Sequence, residues 1–181
     1  MKALSLLQPY GSLMFVPDGK RFETQSWRTN HRGLLAIHAS KKLDKWHGGF
    51  ARKHHATLWP NDEERVIPTG AIIGLVKIVE VYTTDDALNA GMISDTEKLF
   101  GDYGPGRFAW RTSDSIKLPF PIPCDGMLSL WEVPVEVVRQ IDEQVTNVWL
   151  EEKRNAMSPE EFYNLHMNVP VEKTEGVWPQ T

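Results

Sequence analysis

The stretch TGAIIGLVKIVEVYT, residues 69–83, constrains the fold more than any other. Its first half is apolar and β-branched without polar alternation, and charge arrives only with Lys77 and Glu80. Such a run reads as a strand covered on both faces, because an open face would alternate polar with apolar. It is far shorter than the roughly 20 apolar residues that a membrane-spanning helix needs. A central strand with a layer on either side therefore frames the rest of the chain.

Other segments fit around it. KALSLL (2–7) and LLAIHAS (34–40) read as strands and MLSLWEVP (127–134) as a closing one. FAWRT and IKLPFPIP give further extended structure, and the prolines place the second at a sheet edge. Pro9 suits the first turn of a short helix with Tyr10, Leu13 and Met14 on its inner face, ended by Pro17-Asp18-Gly19. Residues 43–59 carry a helical pattern anchored by Trp46, Phe50 and Leu58, and DDALNAG and DTEKLFG suggest helical turns. After Pro134, Val138, Ile141, Val145, Val148 and Trp149 recur at helical spacing, predicting an amphipathic helix over 135–154. Ser158 and Glu161 have capping-box spacing for a second helix from about 159, followed by a loosely held tail. Strand–helix alternation stops after residue 69, which argues against a doubly wound sheet. The expectation is an α+β chain: a small β-barrel over 1–134 with inserted helices, its core including Ile37, Ile72, Leu75 and Trp131. A C-terminal helical extension and tail occupy 135–181.

Composition narrows the chemistry. The 181 residues contain one cysteine, Cys124, so neither an intrachain disulfide nor a Cys-rich zinc site is possible. His47 stands seven and eight residues from His54 and His55, about 10–12 Å along a helix, too far to share a metal. No metal and no cofactor are expected. Gln8 and Pro9 interrupt the apolar N-terminus, so no signal peptide is expected, and a cytoplasmic protein with no membrane segment is the default. The formal charge of −4 hides an asymmetry: residues 1–59 hold six Lys and four Arg against Asp18, Glu23 and Asp44, a net of +7, and residues 60–181 carry −11. That pattern indicates a local anion-binding face rather than indiscriminate affinity for nucleic acid.

The basic half contains GKRFETQSWRTNHRG (19–33), an unusual combination of four cations, one carboxylate, two threonines and an indole. If 20–27 is extended, Lys20, Phe22, Thr24 and Ser26 face one way and Arg21, Glu23, Gln25 and Trp27 the other. Phe22 then stands among polar neighbours, which calls for an irregularity. Lys20, Glu23 and Thr24 together suit two tasks: gripping an amide or phosphate, or activating a water or the threonine hydroxyl. Read blandly, Lys20 and Glu23 form a surface ion pair contributing about 0–1 kcal/mol. Trp27 is either a stacking platform for a base or a core or rim aromatic, and Arg32 at the following turn suits a phosphate. His38 reads as a hydrogen-bonded structural histidine. Lys41, beside Ser40 and Lys42, either belongs to a helix cap or binds phosphate. GPG (104–106) lacks the continuation of a phosphate loop.

Taken in order, LSLLQPYGSL, GKRFETQSW, RGLLAIHAS, TGAIIGLVKIVEV, PGRFAW and LPFPIPCDGMLSLWEVP resemble an ASCH domain, the activating signal cointegrator-1 homology family, from about residue 2 to 134. The resemblance implies a PUA-like β-barrel that binds RNA or a nucleotide-like ligand in a cleft beside the first helix. Some relatives hydrolyse nucleoside amides and others cleave RNA. The family signature G-x-K-x-x-E-x-R falls with its lysine at Lys20 and its glutamate at Glu23. Its glycine falls at Asp18, with Gly19 beside it, and its arginine at Gln25. That substitution removes a fixed fork for phosphate. Arg107 and Trp110, in the family-like PGRFAW segment, either close the cleft from its far wall or, read blandly, are a packed Trp110 and an exposed Arg107.

Two functions stand side by side. In the first, favoured narrowly, the chain binds RNA or a nucleotide-like small molecule, with Trp27, Arg32, Lys41, Arg107 and Trp110 as ligand contacts. In the second it is a hydrolase, an amidohydrolase or a ribonuclease, with Lys20, Glu23 and Thr24 as catalytic residues. A protein-interaction module built on the 135–154 helix is a third reading. The sequence leaves the oligomeric state open.

Overall fold

The apolar run becomes the longest-paired strand of a six-stranded mixed sheet in the computed structural model, which describes residues 1–43 and 67–156. The strands are β1 (Lys2–Gln8), β2 (Phe22–Gln25), β3 (Gly33–Leu43), β4 (Ala71–Thr83), β5 (Phe108–Pro123) and β6 (Leu130–Glu132). The helices are α1 (Thr84–Asn89), α2 (Asp95–Lys98) and α3 (Val135–Ala156), with a 3-10 turn at Ser12–Phe15. The expected helix over 43–59 beyond its first residue, with Trp46, Phe50, Leu58 and the three nearby histidines, lies outside the described residues. So do the helix from 159 and the tail. Among the described residues no helix is long and apolar enough to cross a membrane.

The sheet order is β2-β5-β4-β3-β1-β6, with β1 and β3 parallel and the other pairs antiparallel. The expected barrel, closed or nearly so, is not seen among the described residues, where the sheet is open. Closure requires the first and last strands to share a ladder. Here the edge strands hold four and three residues and, among the described residues, pair only inward, β2 on β5 and β6 on β1. The closing strand is accordingly shorter than the expected 127–134. Register shifts along β4 and β5, after Ile72, Leu75 and Ile78, give the sheet local bends without joining its edges.

FAWRT and IKLPFPIP are one strand, β5, rather than two. Its first part, Phe108–Arg111, is sandwiched between β2 and β4. Beyond Arg111 the outer ladder ends, so Pro119 and Pro121 sit where no outer strand needs their missing N–H. Gln144 closes part of that edge: its side-chain amide accepts from Phe120 N and donates to Phe120 O, both at 3.0 Å.

Ala71–Val76 of β4 are all buried, as a strand between two layers requires. On one face Ile73, Val76, Ile78 and Val81 pack with Leu35, Ile37, Met14 and Trp110. On the other Ile72 and Leu75 pack with Leu118, Trp131, Val137 and Ile141. Ile37, Ile72, Leu75 and Trp131 are all buried, though divided between the two faces. Gly74 makes one close approach possible: a Cβ there would stand 2.4 Å from the Phe15 ring and 2.5 Å from Ile116 O. The compact unit Met1–Val145 thus includes the start of α3, and the described part of the second unit, from Thr146, continues that helix.

Candidate functional site

Lys20 lies just ahead of β2, where its backbone N–H donates to Leu13 O at 2.9 Å. Standing outside the strand frees it from strand alternation, so its side chain reaches Glu23 across three residues. The Lys20 Nζ–Glu23 Oε2 separation is 2.9 Å with the side chains 3% and 6% exposed. The bland expectation of a surface pair is therefore replaced by a buried one. The ammonium also donates to Phe100 O at 2.7 Å and stands 5.3 Å from the centre of the Tyr10 ring. Glu23 Oε1 accepts from Gln25 Nε2 at 2.7 Å. Glu23 Oε2 lies off the line of a hydrogen bond to Lys20 despite the short ion-pair distance, and among the described residues takes no other donor.

These groups form the wall of a cleft of about 440 Å³ that Ser5, Tyr10, Thr24 and Arg107 also line. Thr24 Oγ1 accepts from Asp102 N at 2.9 Å, and Gly101 approaches so closely that a Cβ there would stand 2.9 Å from the hydroxyl. Arg107 sits at the rim, donating from Nε to Asp102 O at 3.0 Å and from Nη2 to Thr24 O at 3.4 Å. The 99–104 loop is thereby tied to β2 from both sides.

Glu97, which its place in the sequence does not single out, holds the other end of this loop. It is 6% exposed, and its carboxylate accepts from Arg21 N at 2.8 Å, Phe22 N at 3.0 Å and the Tyr103 hydroxyl at 3.2 Å. Burial, with the Glu97 carboxylate next in effect, pushes the Tyr103 phenol well above its usual range. Ser94 Oγ accepts from Glu97 N at 3.1 Å, half of a capping box, but the Glu97 carboxylate turns to β2 instead of its own helix start.

The remaining candidates lie elsewhere. Trp110 is fully buried in the core and does not reach the cleft wall. Trp27 is half-buried, edge-on to Trp110 with centroids 4.7 Å apart, and lines a second groove of about 730 Å³ instead. Lys41 lines that groove too, paired with Asp125 at 2.6 Å, both strongly exposed. Arg32 is drawn away from both cavities by Glu80 at 2.8 Å and by the carbonyls of Thr29 and His31. Among the described residues no cluster of His, Cys, Asp or Glu would hold a metal ion.

His38 is buried, and its Nε2 lies 3.1 Å from Cys124 O. A carbonyl only accepts, so Nε2 carries the proton and Nδ1, which has no partner among the described residues, is an acceptor. Burial holds the imidazole below its ordinary value, against the Cys124 carbonyl and Asp125, which favour protonation; Lys41 opposes it. A folded-state value below the unfolded one means the unfolded chain takes the proton first. Stability is then complete above about pH 6.5 and declines as pH falls towards the folded-state value. Melting temperatures between pH 7.5 and 5 should fall more steeply for the wild type than for His38→Gln; parallel slopes would remove His38 from the acid response.

No family model and no curated protein matches the chain. Solved structures that resemble it include ASCH from Zymomonas mobilis, 13% identical with a TM-score of 0.49 over 78% of this chain and 93% of that one. A tyrosine-to-phenylalanine mutant of that protein matches at 12% identity and the same TM-score, covering 78% and 96%. These structural neighbours are ASCH-domain proteins.

Proposed function

We propose that the chain is a binding module that takes RNA or a nucleotide-like small molecule into the Lys20–Glu23 cleft. The buried ion pair on the cleft wall carries this reading. Burying a lysine and a glutamate together seldom adds stability, because desolvation offsets the attraction. A pair retained in that position calls for another role, and convergent polar groups in a well-formed cleft are a binding site by default. An ammonium donor beside a carboxylate oxygen with no aligned donor suits the mixed donor–acceptor edge of a nucleobase, the way pockets read an extruded base.

The hydrolase reading has one observation in its favour, that Lys20, Glu23 and Thr24 line one cleft. Thr24 Oγ1 is engaged by Asp102 N and covered by Gly101, which suits a loop tether better than a nucleophile. Titrating the full chain with nucleosides, mononucleotides and short RNAs, with chromatography for products, tests both. Binding that Lys20→Met abolishes, without product, supports the module. Product formation that Thr24→Ala stops establishes the hydrolase, and no binding by any of these ligands overturns both.

A further inference from the structure

The Lys20 cleft adjoins the second groove, and Ser5, Leu7 and Gln25 line both. Their volumes, about 440 and 730 Å³, are each in the range that takes a compact organic ligand. The second groove runs between Trp27, the end of β3 at Ser40–Lys42, and the strap Cys124–Ser129 that follows β5.

Its walls are built rather than incidental. Trp110 holds Trp27 edge-on, leaving it half-exposed along the groove. His38 fixes the strap through the Cys124 carbonyl. Gly126 lies so near the imidazole that a Cβ there would stand 2.3 Å from it. At the lip, Lys42 is exposed, and among the described residues Lys41 is engaged by the exposed Asp125. Such an exposed pair is weak enough for a phosphate to displace the carboxylate.

From this arrangement we infer that the ligand is a single-stranded polynucleotide of at least two units, lying across both cavities. One base enters the Lys20–Glu23 cleft, the next stacks on Trp27, and the phosphate beyond it meets Lys41 and Lys42. An aromatic platform followed by cations is the pattern by which proteins hold single strands, and a paired duplex would offer the cleft no free base edge. The inference rests on the nucleotide reading of the cleft and extends it to substrate length.

Calorimetric titration of the full chain with mixed-sequence RNAs of one, two, four and six nucleotides, and with a Glu-rich peptide, tests it. Affinity should rise about tenfold or more between one and four nucleotides and then level off. Lys42→Glu should remove most of that gain while leaving mononucleotide affinity unchanged, and Trp27→Leu should remove the gain as well. Lys42 is exposed, so its substitution probes the groove even where loss of Trp27 perturbs folding. For the tetranucleotide, the slope of log affinity against log salt should shrink by about 0.7 for each phosphate that a variant no longer neutralises. Mononucleotide binding with no gain on lengthening overturns the two-cavity inference and leaves the cleft reading standing. Failure of every RNA, the mononucleotide included, sinks both. Preference for the acidic peptide would reassign the groove to a protein partner and overturn the inference.

Discussion

Lys20→Met should lower the unfolding free energy by about 3–5 kcal/mol in denaturant titration, the usual penalty for stranding one member of a buried ion pair. Glu23 would keep its place, 5% exposed, with the ammonium gone and only Gln25 donating to it. The same substitution removes the donor that ties Phe100 O to β2. Pairing it with Glu23→Leu removes both charges, and stability should then return to within about 1 kcal/mol of wild type or exceed it. Ligand binding should remain lost in the double variant. This divergence separates function from architecture: a pair kept for structure would show stability and binding recovering together. A cost below about 1 kcal/mol for Lys20→Met would mean that the pair behaves as a solvated one.

The sequence made the centre of the sheet readable and its edges unreadable. AIIGLV carries burial on both faces in its composition, and Ile72, Leu75 and Ile37 follow from it. Closure depends on whether two short edge strands meet, and no local pattern in FETQ or LWE encodes that. The site divided in a similar way. The spacing of Lys20, Glu23 and Thr24 brought them to one cleft, and Arg107 joined them from the loop before β5. Burial of the pair was hidden because Lys and Glu three residues apart usually meet on a surface. Trp27 and Trp110 share one cluster, yet one is half-buried and lines a groove while the other is wholly enclosed. Strand register decides that difference, since Trp110 pairs between Glu23 and Val81 in mid-sheet whereas Trp27 lies past the end of β2.

Glu97→Ala is expected to be the most damaging substitution outside the cleft itself. Two backbone amides, Arg21 N and Phe22 N, would lose their acceptor, and the Tyr103 hydroxyl would lose its own. Each buried donor left unmade costs about 1–3 kcal/mol, so a loss of about 2–6 kcal/mol is expected from the two amides. Ser94-Asp95-Thr96-Glu97 has the spacing of a capping box, and a carboxylate spent on its own helix start would be worth only about 1 kcal/mol. Here the helix is four residues long and its carboxylate instead anchors Arg21 and the first residue of β2, Phe22, immediately after Lys20. Glu97→Gln keeps one acceptor oxygen and turns the other position into a donor facing an amide. It should therefore recover only part of the stability, while Glu97→Asp shortens the reach and should resemble alanine. Because Lys20 Nζ is held by Phe100 O, two residues beyond α2, loosening this anchor also displaces the loop side of the cleft. Ligand affinity measured under conditions where Glu97→Gln remains folded should fall along with stability. Full affinity in a destabilised but folded Glu97→Gln would mean that the cleft is positioned by Thr24 and Arg107 alone.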